Sequence, residues 1–374
     1  MDGALSRSEA GGGFVTGRLS GLDGLRVLAV LCVVLYHQGL VPFGWAGVQV
    51  FFVLSGYLIT RLLWEARKQP LRSYLFGFYG RRVLRIFPLY YGVLILFVGL
   101  LFFTRKGEVF RLSLPYLATY TYNLWASTSG YRESRYFSHF WSLCVEEQFY
   151  LLWPFVIYRF AHKTALRSLL LGIVAMGPLL RLAEVLLLRT APWANPLTDL
   201  SVYVLTPTYF DGFALGALLA LFPLGGHRPA LFASLIVFAG VLWLALHSAG
   251  GLRGGSPGMG PGYVLIWGYS LVNLVAALFI DCLVFGKLAP GFFDSPPMRY
   301  LGRISYGLYV FHLPVQTVLE HARPSLGLAA RLGLQVIITV AVSALSYRFW
   351  EQPFLARKER WFPRPSSALD GDPR

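Results

Sequence analysis

The sequence predicts an all-α membrane protein, a polytopic bundle of about ten transmembrane helices with both termini cytoplasmic, and three observations lead there. Of the 374 residues 56% are hydrophobic and only 14% charged, whereas a soluble domain carries about a quarter charged residues. Apolar stretches recur with close to the roughly 20 residues that cross a bilayer core as a helix. Lys and Arg are distributed unevenly among the connections between those stretches.

In chain order the stretches are 22–40, 45–64, 87–104, 143–160, 167–188, 206–222, 230–248, 264–284, 304–320 and 331–349. They are Leu-rich and lack the period-two alternation of a membrane strand, so a closed barrel is rejected. The formal charge is +15, which in a soluble protein would point to nucleic acid. Here the charge follows the positive-inside rule. With the N-terminus cytoplasmic, the inner segments hold 22 of the 33 Lys and Arg residues, seven of them between Arg61 and Arg85. The partner is therefore the lipid bilayer, and no nucleic acid is expected. An even number of spans returns the C-terminus to the same side.

One membrane domain, 21–353, is expected between a Gly-rich disordered tail at 1–20 and a loose cytoplasmic tail at 354–374. Residues 1–20 lack the apolar core of a signal peptide, so the first span is expected to be an uncleaved anchor. Two outer connections stand out: 105–137, long and aromatic, and 249–262, rich in Gly and Pro with a turn-like sequence. Cys32, Cys144 and Cys282 all lie in apolar runs, with no disulfide or zinc spacing.

Ionisable residues within spans are functional candidates by default, because burying them in hydrocarbon is costly. Arg26 and His37 are eleven residues apart on the first span. Eleven residues of helix turn through three turns plus about 20° and rise roughly 16 Å, so both side chains leave one face at opposite depths. On the topology above, Arg26 is near the inner end and His37 near the outer. A ligand anchored through an anion at Arg26 could present its far end to His37; the alternative for Arg26 is pairing with Asp23 at the inner headgroups. Arg81, Arg82 and Arg85 lie where the inner loop meets the third span, as a positive-inside cluster or as a phosphate clamp, since guanidinium forks bind phosphate bidentately. Glu146 and Glu147 enter the fourth span together, with Glu146 at about the depth of His37. A histidine beside a carboxylate can act as a general base. Arg181, Asp211, Tyr306, Tyr309 and His312 are read as possible lining of a polar cavity.

The order of several motifs resembles the bacterial acyltransferase-3 family of membrane acyltransferases. They are Gly24-Leu-Arg26 with Tyr36-His37, Gln49-Val-Phe51-Phe52-Val-Leu-Ser55-Gly56-Tyr57, Arg81-Arg82-Val-Leu-Arg85-Ile-Phe-Pro88, Trp141-Ser-Leu-Cys-Val-Glu146-Glu147-Gln-Phe149-Tyr150, and Ser305-Tyr306-Gly-Leu-Tyr309-Val-Phe-His312. The resemblance implies ten spans in a bacterial inner membrane. It implies transfer of an acyl group, usually acetyl, from cytosolic acetyl-CoA or another acyl-CoA to a hydroxyl of a glycan or glycosylated small molecule. It also implies an essential arginine–histidine pair, matching Arg26 and His37, and roles for Arg81, Arg82, Arg85 and Glu146. Some members carry an additional extracytoplasmic domain; this chain is expected to be the stand-alone form.

On these readings His37, held by Glu146 or another neighbour, is the expected base, and Arg26, Arg81, Arg82 and Arg85 bind the donor. Ser55, Tyr57, His139 and Trp141 are the candidate substrate-binding residues, with Ser55, Tyr57 or a backbone N–H as the donor to the thioester oxygen. No metal and no permanently bound cofactor are expected. The rival reading, a transporter or flippase of a glycan or lipid-linked precursor, fits intramembrane charges equally but lacks the paired halves of broken helices that mark transporter repeats.

Overall fold

The computed structural model describes residues 21–102, 107–160, 162–195, 198–247 and 264–363. The tail 1–20, the connection 249–262 and the end of the C-terminal tail lie outside them. In chain order the helices are α1 (Leu22–His37), α2 (Ala46–Ala66), α3 (Leu71–Leu101), α4 (Glu108–Ala118), α5 (Tyr122–Ala126), α6 (Phe140–Arg159), α7 (Lys163–Thr190), α8 (Thr198–Val204), α9 (Phe210–Leu221), α10 (Arg228–His247), α11 (Tyr269–Val284), α12 (Pro290–Phe293), α13 (Pro296–Arg303), α14 (Ser305–Ala322), α15 (Leu328–Ser346) and α16 (Gln352–Trp361). No β-strand occurs among the described residues, only an isolated bridge between Thr128 and Ala194.

Each of the ten apolar stretches overlaps a helix among the described residues. Five helical segments are long and apolar enough to cross a membrane: Ala46–Ala66, Leu71–Leu101, Lys163–Thr190, Ile266–Val284 and Leu328–Lys358. The others fall short for reasons visible in their residues. Helix α1 has 16 residues, roughly 24 Å of helix against a hydrocarbon core about 30 Å thick. Helix α6 carries Glu146, Glu147 and Arg159, and α14 carries two histidines and Glu320. The long helices turn large apolar side chains outward, among them Ile95, Leu187 and Ile337. Such a belt suits lipid contact.

Helix α2 sits at the centre, packed against α1, α6, α9 and α11. Its crossing with α9 has no room for side chains on either surface: a Cβ at Gly56 would strike the Phe213 carbonyl, and one at Gly216 the backbone of Val53 and Tyr57. Small residues at such crossings let membrane helices approach closely. Gly56→Ala should lower the thermal midpoint of the purified protein in detergent, because overpacking against backbone costs about 1–3 kcal/mol. Gly77→Ala, at a position where nothing lies within 4 Å, serves as the neutral control.

Arg181 and Asp211 compensate each other as an ion pair. Both are fully buried and meet through two bonds, Nη1–Oδ1 at 3.1 Å and Nη2–Oδ2 at 2.9 Å. Arg181 also donates to the carbonyls of Thr208 and Ile266, at 2.7 and 2.9 Å. Asn273 and Ser270 donate to the Asp211 carboxylate. The pair thus joins α7, α9 and the start of α11, and every guanidinium nitrogen is satisfied inside the protein.

The described part of the aromatic connection, 107–137, is folded rather than open. It forms α4 and α5, and Tyr120, Tyr122 and Trp125 turn inward and are buried. Burial pushes the Tyr122 and Tyr131 phenols up, so both stand as neutral hydroxyls, 3.4 Å apart. Few of these rings remain to stack on a ligand. The C-terminal tail is likewise ordered at its start. Its basic residues continue as α16, and the segment docks on α3 through the Phe76 and Phe362 rings and a 2.5 Å bond from Arg81 Nη1 to the Phe362 carbonyl.

Candidate active site

A cavity of about 380 Å³ opens among α1, α2, α3, α6 and α14, within the range of small-molecule sites. Six cationic side chains line it (Arg26, Arg81, Arg82, Arg85, Arg303 and Lys358), against three carboxylates, those of Asp23, Glu146 and Glu147. Arg303 is exposed and marks the mouth. The four arginines that the sequence reading assigns to donor binding all line this one cavity.

Each element presents these groups for a local reason. Arg26 extends from the first turns of α1 and is held by Asp23 one turn back, Nη1 to Oδ1 at 2.8 Å. Pairing with Asp23 and lining the cavity are therefore compatible. Helix α3 carries Arg81, Arg82 and Arg85 within two turns. Arg82 lies over the Tyr150 ring, 4.6 Å from its centroid. Neither Arg82 nor Arg85 makes a hydrogen bond or a salt bridge among the described residues, although carboxylates share the cavity. Helix α6 supplies Glu146, whose Oε1 accepts a 2.7 Å bond from Ser55 Oγ; Ser55 also meets Tyr150 Oη at 3.0 Å.

His37 lies outside this cavity, and so do Tyr57, His139 and Trp141. Along α6 the lining residues run from Tyr150 to Ser142 and stop one turn before His139. Along α14 they run from Ser305 to Tyr309 and stop one turn before His312. The floor is a layer of Ser142, Tyr309 and Phe51. Tyr309 Oη is 2.5 Å from Ser142 Oγ and 3.2 Å from the His139 carbonyl, and its ring is 6.1 Å from that of Phe51. The face of α1 between Arg26 and His37 is filled by buried Ala29, Val30, Val33 and Val34.

Beyond the floor, three histidines cluster. His37 Nδ1 is 2.9 Å from the Val33 carbonyl and 3.3 Å from His312 Nε2. The His139 ring lies 4.6 Å from that of His312. Glu146 does not hold His37; it faces Ser55 and the arginines, and His312 is the neighbour instead. Among the described residues no group of three or more His, Cys, Asp or Glu is placed to hold a metal ion. Around the cluster Gln316 donates to the His37 carbonyl and to Glu320, and Gln335 donates to the His312 carbonyl.

Tyr57 is buried in the apolar cluster of α2, α9 and α11. Trp141 packs on Tyr203 and Tyr209, with ring centroids 4.5 and 5.6 Å away. Both are occupied in packing. Residues the sequence reading passed over also line the cavity: Tyr150, Ser142, Arg303 and Lys358. Tyr150 and Ser142 lie at helical spacing from Glu146 on α6, a signal that was present. Arg303 and Lys358 arrive from distant segments and gave none.

Comparison with known proteins places this geometry in context. The acyltransferase domain family matches the chain over residues 19–350. The chain is 32% identical over 367 residues to the peptidoglycan O-acetyltransferase OatA of Listeria monocytogenes, covering 89% of this chain and 55% of that protein. It is 29% identical over 373 residues to the putative peptidoglycan O-acetyltransferase YrhL of Bacillus subtilis, covering 92% of this chain and 56% of that one. To the O-acetyltransferase OatA of Staphylococcus aureus it is 26% identical, again over 373 residues, covering 92% and 60% respectively. The chain thus spans little more than half the length of these curated relatives. No solved structure matches it.

Proposed function

Because this chain belongs to the acyltransferase domain family, we propose that it is a multi-pass inner-membrane O-acetyltransferase that moves an acetyl group from cytosolic acetyl-CoA to a hydroxyl of a cell-wall glycan. The observation that carries the donor assignment is the pair Arg82 and Arg85, two guanidinium groups facing a cation-rich cavity with no hydrogen bonds to the described residues. The phosphates of an acyl-CoA are the matching ligand. Arg26, on α1 in the same cavity, also meets the donor. The acyl end points at the floor, and the Tyr309 ring turns aside to admit it to His37.

His37 is the base in this reading. It removes the proton from the glycan hydroxyl as that oxygen attacks the thioester carbon. The carbon–sulfur bond breaks, and the departing thiolate takes the proton from the His37 imidazolium. The products are the O-acetyl glycan and free CoA thiol. Peptidoglycan is the favoured acceptor, because two of the relatives are named for it. The glycan approaches from the His37 side, where Gln38, Gln316 and Glu320 offer hydroxyl-binding groups.

Purified protein in detergent, given acetyl-CoA and soluble peptidoglycan fragments, should release CoA thiol in step with ester formation on the fragments. Glycan movement across vesicles without thiol release would favour a flippase and overturn the proposal. Arg85→Ala should raise the KM for acetyl-CoA roughly 10–100-fold, the loss expected for one charge-assisted hydrogen bond, and should leave the KM for the glycan unchanged.

A further inference from the structure

We propose that His312 is a positioning residue that locks His37 in the tautomer protonated at Nδ1, leaving Nε2 as the basic nitrogen. This inference rests on the reading of His37 as the base. A carbonyl oxygen accepts hydrogen bonds and cannot donate them, and a neutral imidazole has one N–H and one bare nitrogen. These two facts order the protons in the cluster.

His312 Nδ1 lies 2.5 Å from the Tyr309 carbonyl, so Nδ1 bears the hydrogen. Its Nε2 is then a bare lone pair, in a side chain that is fully buried. That lone pair faces His37 Nδ1 at 3.3 Å, and the Val33 carbonyl faces the same nitrogen at 2.9 Å. Both are acceptors. His37 Nδ1 therefore carries its hydrogen, shared between them, and Nε2 has no hydrogen-bond partner among the described residues. A base must present this bare nitrogen to the acceptor hydroxyl.

The arrangement is braced on each side. His139 Nε2 donates to the Val310 carbonyl at 3.2 Å, which orients that ring edge-on to His312. Gln335 Nε2 donates to the His312 carbonyl at 3.1 Å, and Gln316 Nε2 to the His37 carbonyl at 3.1 Å. Helices α14 and α15 thereby fix the backbone from which both histidines project. When Nε2 takes a proton, the other N–H of the imidazolium already faces two acceptors. No reorientation accompanies the step, which is the advantage of a preorganised site.

The test compares His312→Leu, which removes one of the two acceptors, with His312→Gln, whose carboxamide oxygen can replace the lone pair. His312→Leu should lower kcat about 10²-fold, within the range for a general base made ineffective, with the KM for acetyl-CoA unchanged. His312→Gln should recover at least about tenfold of that loss. Wild-type kcat in the leucine variant, or equal loss in two folded variants, would overturn the proposal. Nitrogen NMR of histidine-labelled wild-type protein reads the tautomer without any substitution. Protonation of His37 at Nδ1 supports the proposal, and protonation at Nε2 overturns it. Activity surviving in His37→Ala would instead remove the underlying reading, so the two failures are distinguishable.

Discussion

Substituting alanine for His37 is expected to cut acetyl transfer by about 10²–10⁴-fold, the usual worth of a general base, and to leave donor binding intact. Donor binding is spared because His37 is not among the side chains lining the arginine-rich cavity. The fold is spared because the ring is only half buried at the last turn of α1 and has one backbone bond, to Val33. The measurements are the initial rate of thiol release, the KM for acetyl-CoA and the thermal midpoint in detergent. A rate within threefold of wild type in a folded variant would remove His37 from the chemistry. A raised KM with unchanged kcat would instead place it in donor binding.

The second large effect is expected at the other charged centre. Arg181→Leu leaves the Asp211 carboxylate buried with Asn273, Ser270 and the Gly212 N–H as its remaining donors. Breaking a buried ion pair by removing one partner costs about 3–5 kcal/mol. The thermal midpoint should fall accordingly, while folded molecules keep the same KM for acetyl-CoA, since neither residue lines the cavity. A double variant, Arg181→Met with Asp211→Leu, should regain most of the loss, because replacing both members with apolar side chains is often near neutral. If the double variant is less stable than Arg181→Leu, the pair contributes more to the fold than charge compensation.

The sequence revealed a good deal of this, unevenly. Helical segments were legible because long Leu-rich runs have one low-energy conformation in lipid. The arginine cavity was legible because Arg81, Arg82 and Arg85 lie within two turns of one helix. Contacts between distant helices were not. Glu146 was matched to His37 by depth alone, yet depth does not fix rotation about the helix axis. The true neighbour of His37 is 275 residues away on α14, and nothing in local spacing announces it. Tyr57 and Trp141 lie outside the cavity for the same reason, since a motif gives their position along a helix and not the face they turn to. Arg181 and Asp211 looked functional because intramembrane charge usually is, and their mutual compensation lay 30 residues apart in the chain.

The layer of Ser142, Tyr309 and Phe51 bears on the energy economy of the cell that carries this protein. An elementary charge moving through 100 mV of membrane voltage releases about 2.3 kcal/mol, so a continuous wet conduit from the arginine mouth to His37 would act as a short circuit. Hydroxyls bonded to each other, backed by aromatic rings, interrupt such a conduit. An acetyl group is small and uncharged and gains or loses nothing to the voltage, whereas the phosphates of its carrier would. On the proposed function, such a partition would admit neutral cargo and keep ions on their own sides.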